Sequence, residues 1–151
     1  MWTSSYFPHG ARSSSRCCGA TRSRRSERDQ LEACITYQDI RRNVAKIQDY
    51  LKLGGGLDRV LSEQSMAYDA VRICFLEISA AAVKLGALAE VHEPNIPWNA
   101  IRGFGNHLRH TYDEMDLNAV ERAVADLDRL DAACAKAIER LAAPVPPHST
   151  G

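Results

Sequence analysis

No apolar run in the 151-residue chain approaches the roughly 20 residues needed to cross a bilayer; the best, Ile73 to Val83, is interrupted by Glu77. A membrane span is therefore not expected. The five cysteines, Cys17, Cys18, Cys34, Cys74 and Cys134, are odd in number and never spaced C-x-x-C. That pattern argues against both a disulfide framework and a zinc site, and fits a reducing, cytoplasmic location. Cys34, Cys74 and Cys134 fall instead within apolar helical stripes, where a free thiol acts as a small hydrophobe. Net charge is also missing, because 19 basic residues balance 19 acidic ones, so bulk electrostatics selects no partner. There is no G-x-G-x-x-G turn after a strand, no phosphate-binding loop, no H-E-x-x-H and nothing that reads as a strand pair.

Acidic residues are absent from residues 1–26, which carry Arg12, Arg16, Arg22, Arg24 and Arg25 among seven serines; the remainder has 14 basic against 19 acidic residues. Pro8, Gly10 and Gly19 interrupt any amphipathic pattern, so the composition predicts a disordered arm over residues 1–26. Three roles stay open for it: a transit-like leader without a convincing apolar face, an arm that grips nucleic-acid phosphates, or a dispensable extension, including a start codon assigned too far upstream. Pro144, Pro146 and Pro147 mark a disordered tail over residues 144–151. Residues 27–143 remain as one helical domain with a single core.

Helical periodicity is what the sequence has in abundance. From Glu27 to Leu53, Ala33, Tyr37, Ile40, Val44, Ile47 and Leu51 recur at spacings that keep them on one face, and Gly54, Gly55 and Gly56 stop the run. A short piece over Leu57 to Leu61 follows. Gln64 to Leu85 forms a second long helix, apolar on more than one side, with Gly86 at its end. Trp98 to about Thr111 is a shorter helix weakened by Gly103 and Gly105. Asp116 caps a last helix to about Leu141, with Leu117, Val120, Val124, Leu127, Leu130, Cys134, Ile138 and Leu141 in register. The predicted fold is an all-α, up-and-down bundle of four to five helices.

Chemistry concentrates in residues 95–116, NIPWNAIRGFGNHLRHTYDEMD. Arg102, Asn106 and His110 follow at i, i+4 intervals on one short helix, and Arg109 lies two turns beyond Arg102. His107 adds a second imidazole and Tyr112 a phenol at the helix end. Such a ridge suits phosphodiester chemistry, because guanidinium forks fit phosphate oxygens and imidazole moves protons near neutral pH. A solvated cationic face, with a histidine favoured at a helix C-terminus by the dipole alone, accounts for the same residues without function. Trp98 and Phe104 read as packing residues. His92 beside Glu90 and Glu93 reads as a solvated loop rather than a metal site. Asp126, Asp128 and Asp131 read as a polar face or a rim for partner contact.

The segment and its surroundings resemble the HEPN family, in its HepT-like branch. The matching features are Asp69-Ala70-Val71-Arg72 running into Leu76-Glu77-Ile78, the Ile96-Pro97-Trp98 turn, Ile101, Asn106, Leu108, and His110-x-Tyr112 followed by Asp113 and Asp116. The resemblance spans most of the chain after the arm. It implies a HEPN-like helical homodimer that acts as the toxin of a two-gene module, with a minimal nucleotidyltransferase (MNT) as antitoxin. The implied activity is a metal-independent endoribonuclease acting on RNA, without cofactor, at an Arg-x(4–6)-His motif in the dimer cleft. His110, Arg102, Arg109 and Asn106 are the corresponding catalytic candidates, and Tyr112 matches the tyrosine that accepts AMP when the antitoxin neutralises the toxin.

Two positions depart from the family pattern. Gly105 stands where the signature arginine precedes Asn106, and Ala80-Ala81-Ala82 stands where Gly-Glu-Ala is common. Arg102 and His107 form an Arg-x4-His only out of register with His110-x-Tyr112. Loss of both an arginine and an acidic partner would avoid leaving one charge buried alone. These departures keep open a non-catalytic HEPN module that binds a nucleotidyltransferase and RNA, and a plain helical scaffold.

Overall fold

Seven α-helices make up the described part of a computed structural model, which covers residues 7–63, 65–110 and 116–143. They are α1 (Phe7–Leu53), α2 (Leu57–Glu63), α3 (Met66–Leu85), α4 (Ala87–His92), α5 (Trp98–His110), α6 (Leu117–Ala125) and α7 (Leu127–Ala142). The all-α expectation holds, with a helix count above the expected four to five. The additional elements are the single turn and a half of α4 and a break that divides the last expected helix into α6 and α7. At that break Asp126 takes φ −88°, ψ −3°, while its N–H still bonds Arg122 O and its carbonyl still accepts from Leu130. Hydrophobic register therefore runs straight across it.

The chain divides into two compact units, residues 1–32 and 33–151. In the first, α1 already begins at Phe7, where an irregular arm is expected from the composition. Nucleation is the costly step of helix formation, and an existing helix extends through serine and glycine at a modest cost per residue. In the second unit, Ala33, Tyr37, Ile40, Val44 and Ile47 of α1 are buried in the core, as their spacing predicts. Gly55 and Gly56 turn the chain with φ of 86° and 105°, which side-chain-bearing residues rarely adopt.

α3 contributes Val71, Cys74, Phe75, Ile78, Ala82 and Leu85 to that core. It is not covered on every apolar side, because Ile73 is 58% and Val83 60% exposed. α7 supplies Leu127, Leu130, Ala133, Cys134 and Ala137. Asp116 caps α6 as expected, its side chain accepting from Asn118 N–H at 3.1 Å. Asp128 and Asp131 stand on a polar surface face, tied to α1: Asp131 pairs with Arg41 at 2.8 Å, and Asp128 accepts from Gln48 at 2.9 Å.

Trp98 is buried at the start of α5, where Nε1 donates to Glu93 O at 2.9 Å and its ring tilts against Tyr37. The Ile96-Pro97-Trp98 turn is thus a plug for the core. Around it, Tyr37 Oη lies 3.0 Å from His92 Nδ1, and the buried Glu93 carboxylate pairs with Arg140 at 2.9 Å. His92 and Glu93 are therefore not the solvated loop expected from sequence but structural polar groups that join α4 to α1 and α7.

Candidate functional site

The sequence of α5 determines which of its sides meets α3. Trp98, Gly105 and Leu108 are buried and Ile101 is half-buried, a stripe at helical spacing; Asn106, His107, Arg109 and His110 lie outside it and are exposed. At the centre of the stripe, a Cβ on Gly105 would overlap Ser79 Cβ and Oγ. Glycine lets the two backbones close together there, and Ser79 Oγ donates to Arg102 O at 3.1 Å. An arginine side chain at position 105 does not fit this crossing.

Arg102, expected beside phosphate, is engaged elsewhere. Its Nε donates to Ala82 O at 3.0 Å and Nη2 to Gly86 O at 2.7 Å, which satisfies carbonyls at the end of α3. Nη1 donates to Asn99 Oδ1 at 3.0 Å, and both Nη atoms bind Glu90, at 2.5 and 3.0 Å. The hydrogen bond from Arg102 holds the Glu90 carboxyl below its ordinary pKa. Eight residues, or about 12 Å of helical rise, separate Arg102 from His110. The geometry makes Arg102 a strut between α5, α3 and α4.

The other end of α5 gathers the remaining candidates. Arg109 Nη1 donates to Asn106 Oδ1 at 3.3 Å, and His110 follows one turn beyond Asn106 on the same face. Tyr112 lies outside the described residues. The structure also brings a residue that the sequence reading passed over: Arg72 of α3, whose Nη2 donates to Leu108 O at 2.7 Å. In the sequence it stands only as the last residue of the Asp69-Ala70-Val71-Arg72 match, a cation in an apolar stretch, and not as a site candidate. Among the described residues, no three His, Cys, Asp or Glu side chains are grouped to hold a metal ion.

A family model described as "Ribonuclease HepT-like" matches residues 40–137, well over half of the chain. The chain belongs to the HepT-like ribonuclease family. No curated protein and no solved structure matches it. The HepT-like match runs from the second half of α1 into α7 and contains all of α5, so Arg72, Asn106, Arg109 and His110 fall inside it. Gly105 lies within the match, and its lack of a side chain is accounted for locally by Ser79.

Proposed function

We propose that this HepT-like chain is a metal-independent endoribonuclease, the toxin of a toxin–antitoxin module, working in the cytoplasm as a homodimer. The RNA 2′-hydroxyl attacks its neighbouring phosphorus and passes its proton to the His110 imidazole. The bond from phosphorus to the 5′ oxygen breaks, and that oxygen takes up a proton as it leaves. The products are a 2′,3′-cyclic phosphate and a 5′-hydroxyl. Arg109, steadied by Asn106, offers its guanidinium to the non-bridging oxygens as charge builds on the phosphorane. The observation that carries this reading is the exposed grouping of Asn106, Arg109 and His110 at one end of α5 in a HepT-like ribonuclease.

The exposed stripe of Ile73, Ala80 and Val83 on α3 is the face we assign to the second protomer. An MNT-type nucleotidyltransferase is the proposed antitoxin, transferring AMP to Tyr112. The added phosphate places negative charge and bulk two residues from His110, where RNA phosphate would bind. No cofactor is needed for these steps.

The test is cleavage of transfer RNA and a labelled messenger RNA by the full chain in excess chelator. His110→Ala and Arg109→Ala are expected to lose about 100-fold or more in rate while remaining folded. The packing of Gly105 on Ser79 favours a second reading, in which the chain binds a nucleotidyltransferase and RNA without cutting. Folded wild type that binds but never cleaves would establish it.

A further inference from the structure

α3 and α5 run antiparallel, and each sends an arginine from its second turn to the C-terminal carbonyls of the other. Arg102 serves Ala82 O and Gly86 O at the end of α3, while Arg72 serves Leu108 O near the end of α5. The first strap lies far from the candidate site. The second lies within it, because Leu108 immediately precedes Arg109 and His110.

We propose that Arg72 is a positioning residue: its bond to Leu108 O holds the last turn of α5 in the orientation that presents Arg109 and His110 to RNA phosphate. This inference rests on the ribonuclease reading above. Carbonyls in the last turn of a helix lack intrahelical partners and that turn frays readily. α5 is especially exposed to fraying, because Gly103 and Gly105 both lower its intrinsic stability. An external donor is therefore needed where rigidity matters, and a 2.7 Å bond from a guanidinium is of the short, charge-assisted kind.

The setting of Arg72 strengthens that bond. Its side chain packs with Tyr68, Val71, Phe75, Leu108 and Val120 around a residual space of about 10 Å³, at the lower limit for a single water. Nε is shielded from solvent. Burial raises the Tyr68 phenol, and the nearby Arg72 charge opposes that rise. A hydrogen bond in such part-buried surroundings is stronger than at an open surface. Arg102 cannot take over, being held two turns away by Glu90 and the carbonyls of α3.

The experiment compares wild type, Arg72→Met and Arg72→Lys as full chains, with two readouts. Amide hydrogen exchange at Leu108, Arg109 and His110 is expected to quicken about tenfold in Arg72→Met and to return most of the way in Arg72→Lys, with α7 unchanged. For RNA cleavage, kcat is expected to fall about 10- to 100-fold in Arg72→Met with KM within about twofold, and to recover partly in Arg72→Lys. Unchanged exchange in α5 overturns the proposal whatever the cleavage rate. Faster exchange with unchanged kcat overturns it too, reducing Arg72 to a structural strap. Absence of cleavage by wild type overturns the ribonuclease reading instead, and exchange still decides whether Arg72 fixes the helix end. If Arg72→Met does not fold, the Lys variant carries the test, with kcat lowered about threefold to tenfold and KM unchanged.

Discussion

Adding one methyl group at Gly105 sets two effects of similar size against each other. In an open helix, Gly→Ala stabilises by about 1 kcal/mol. Here the new Cβ overlaps Ser79 Cβ and Oγ at the crossing of α3 and α5, so one helix must move or Ser79 must turn. Overpacking of this kind costs about 1–3 kcal/mol. Turning Ser79 also loses its hydrogen bond to Arg102 O, about 1 kcal/mol more. Gly105→Ala is therefore expected to destabilise by about 1–3 kcal/mol after the propensity gain. In urea the unfolding midpoint would fall by about 0.5–2 M. Ser79→Gly alone is expected to cost about 1–2 kcal/mol, through the lost bond and a weaker helix. The double variant restores the space, so it should be no less stable than Ser79→Gly and should show a coupling of about 2 kcal/mol. Stabilisation by Gly105→Ala, or strict additivity of the two changes, would refute the close-packing argument. By the same reasoning, Gly105→Arg is expected to cost about 3 kcal/mol or more and to yield less folded protein.

Arg102→Ala removes the donors to Ala82 O and Gly86 O and should destabilise by about 2–3 kcal/mol, while cleavage per folded molecule stays within about threefold of wild type; a loss like that of His110→Ala at matched folding would return Arg102 to the site. Burial, and next the charge of Arg140, lowers His92 below its ordinary pKa of 6.5, with Glu93 opposing and the Tyr37 hydroxyl bonded to its ring. The unfolded chain then binds the proton more readily, so this contribution is whole above about pH 6.5 and is lost as pH falls through that value toward the lower folded one. Urea midpoints followed against pH should drop more gently in His92→Gln, and equal slopes would disprove the link. Burial pushes the Cys134 thiol up to about 12, so the folded protein should resist alkylation there at pH 8 while half-exposed Cys34 reacts, as mass spectrometry of labelled peptides would show.

Spacing along single helices made much of the fold legible. The stripe from Ala33 to Ile47 is buried as read, and so are Val120, Leu127, Leu130 and Cys134. Periodicity could not say which apolar positions the chain itself covers: Ile73, Val83 and Leu117 share the pattern and remain exposed. Nor could it see the break at Asp126, because the apolar register continues through one residue of altered ψ. At the candidate site, the i, i+4 relation of Asn106 to His110 and the closeness of Arg109 follow from one helix and were found. The bonds of Arg102 to α3 and α4, and of Arg72 to α5, are not legible in periodicity because those partners lie on other helices. The register that joins those helices depends on the absence of a side chain at Gly105, and helical periodicity carries no information about it.

The pairing of Glu93 with Arg140 has a consequence for synthesis. A buried carboxylate is disfavoured if its cation is missing, and the cation sits in the last turn of α7. A growing chain emerges from the ribosome N-terminus first, so α1, α3, α4 and α5 are all made before Arg140 exists. Until then the Trp98 plug would have to close over an unneutralised acid. The bundle therefore locks late, and a chain stalled short of residue 140 presents an unsettled core to the cell's proteases rather than a finished site.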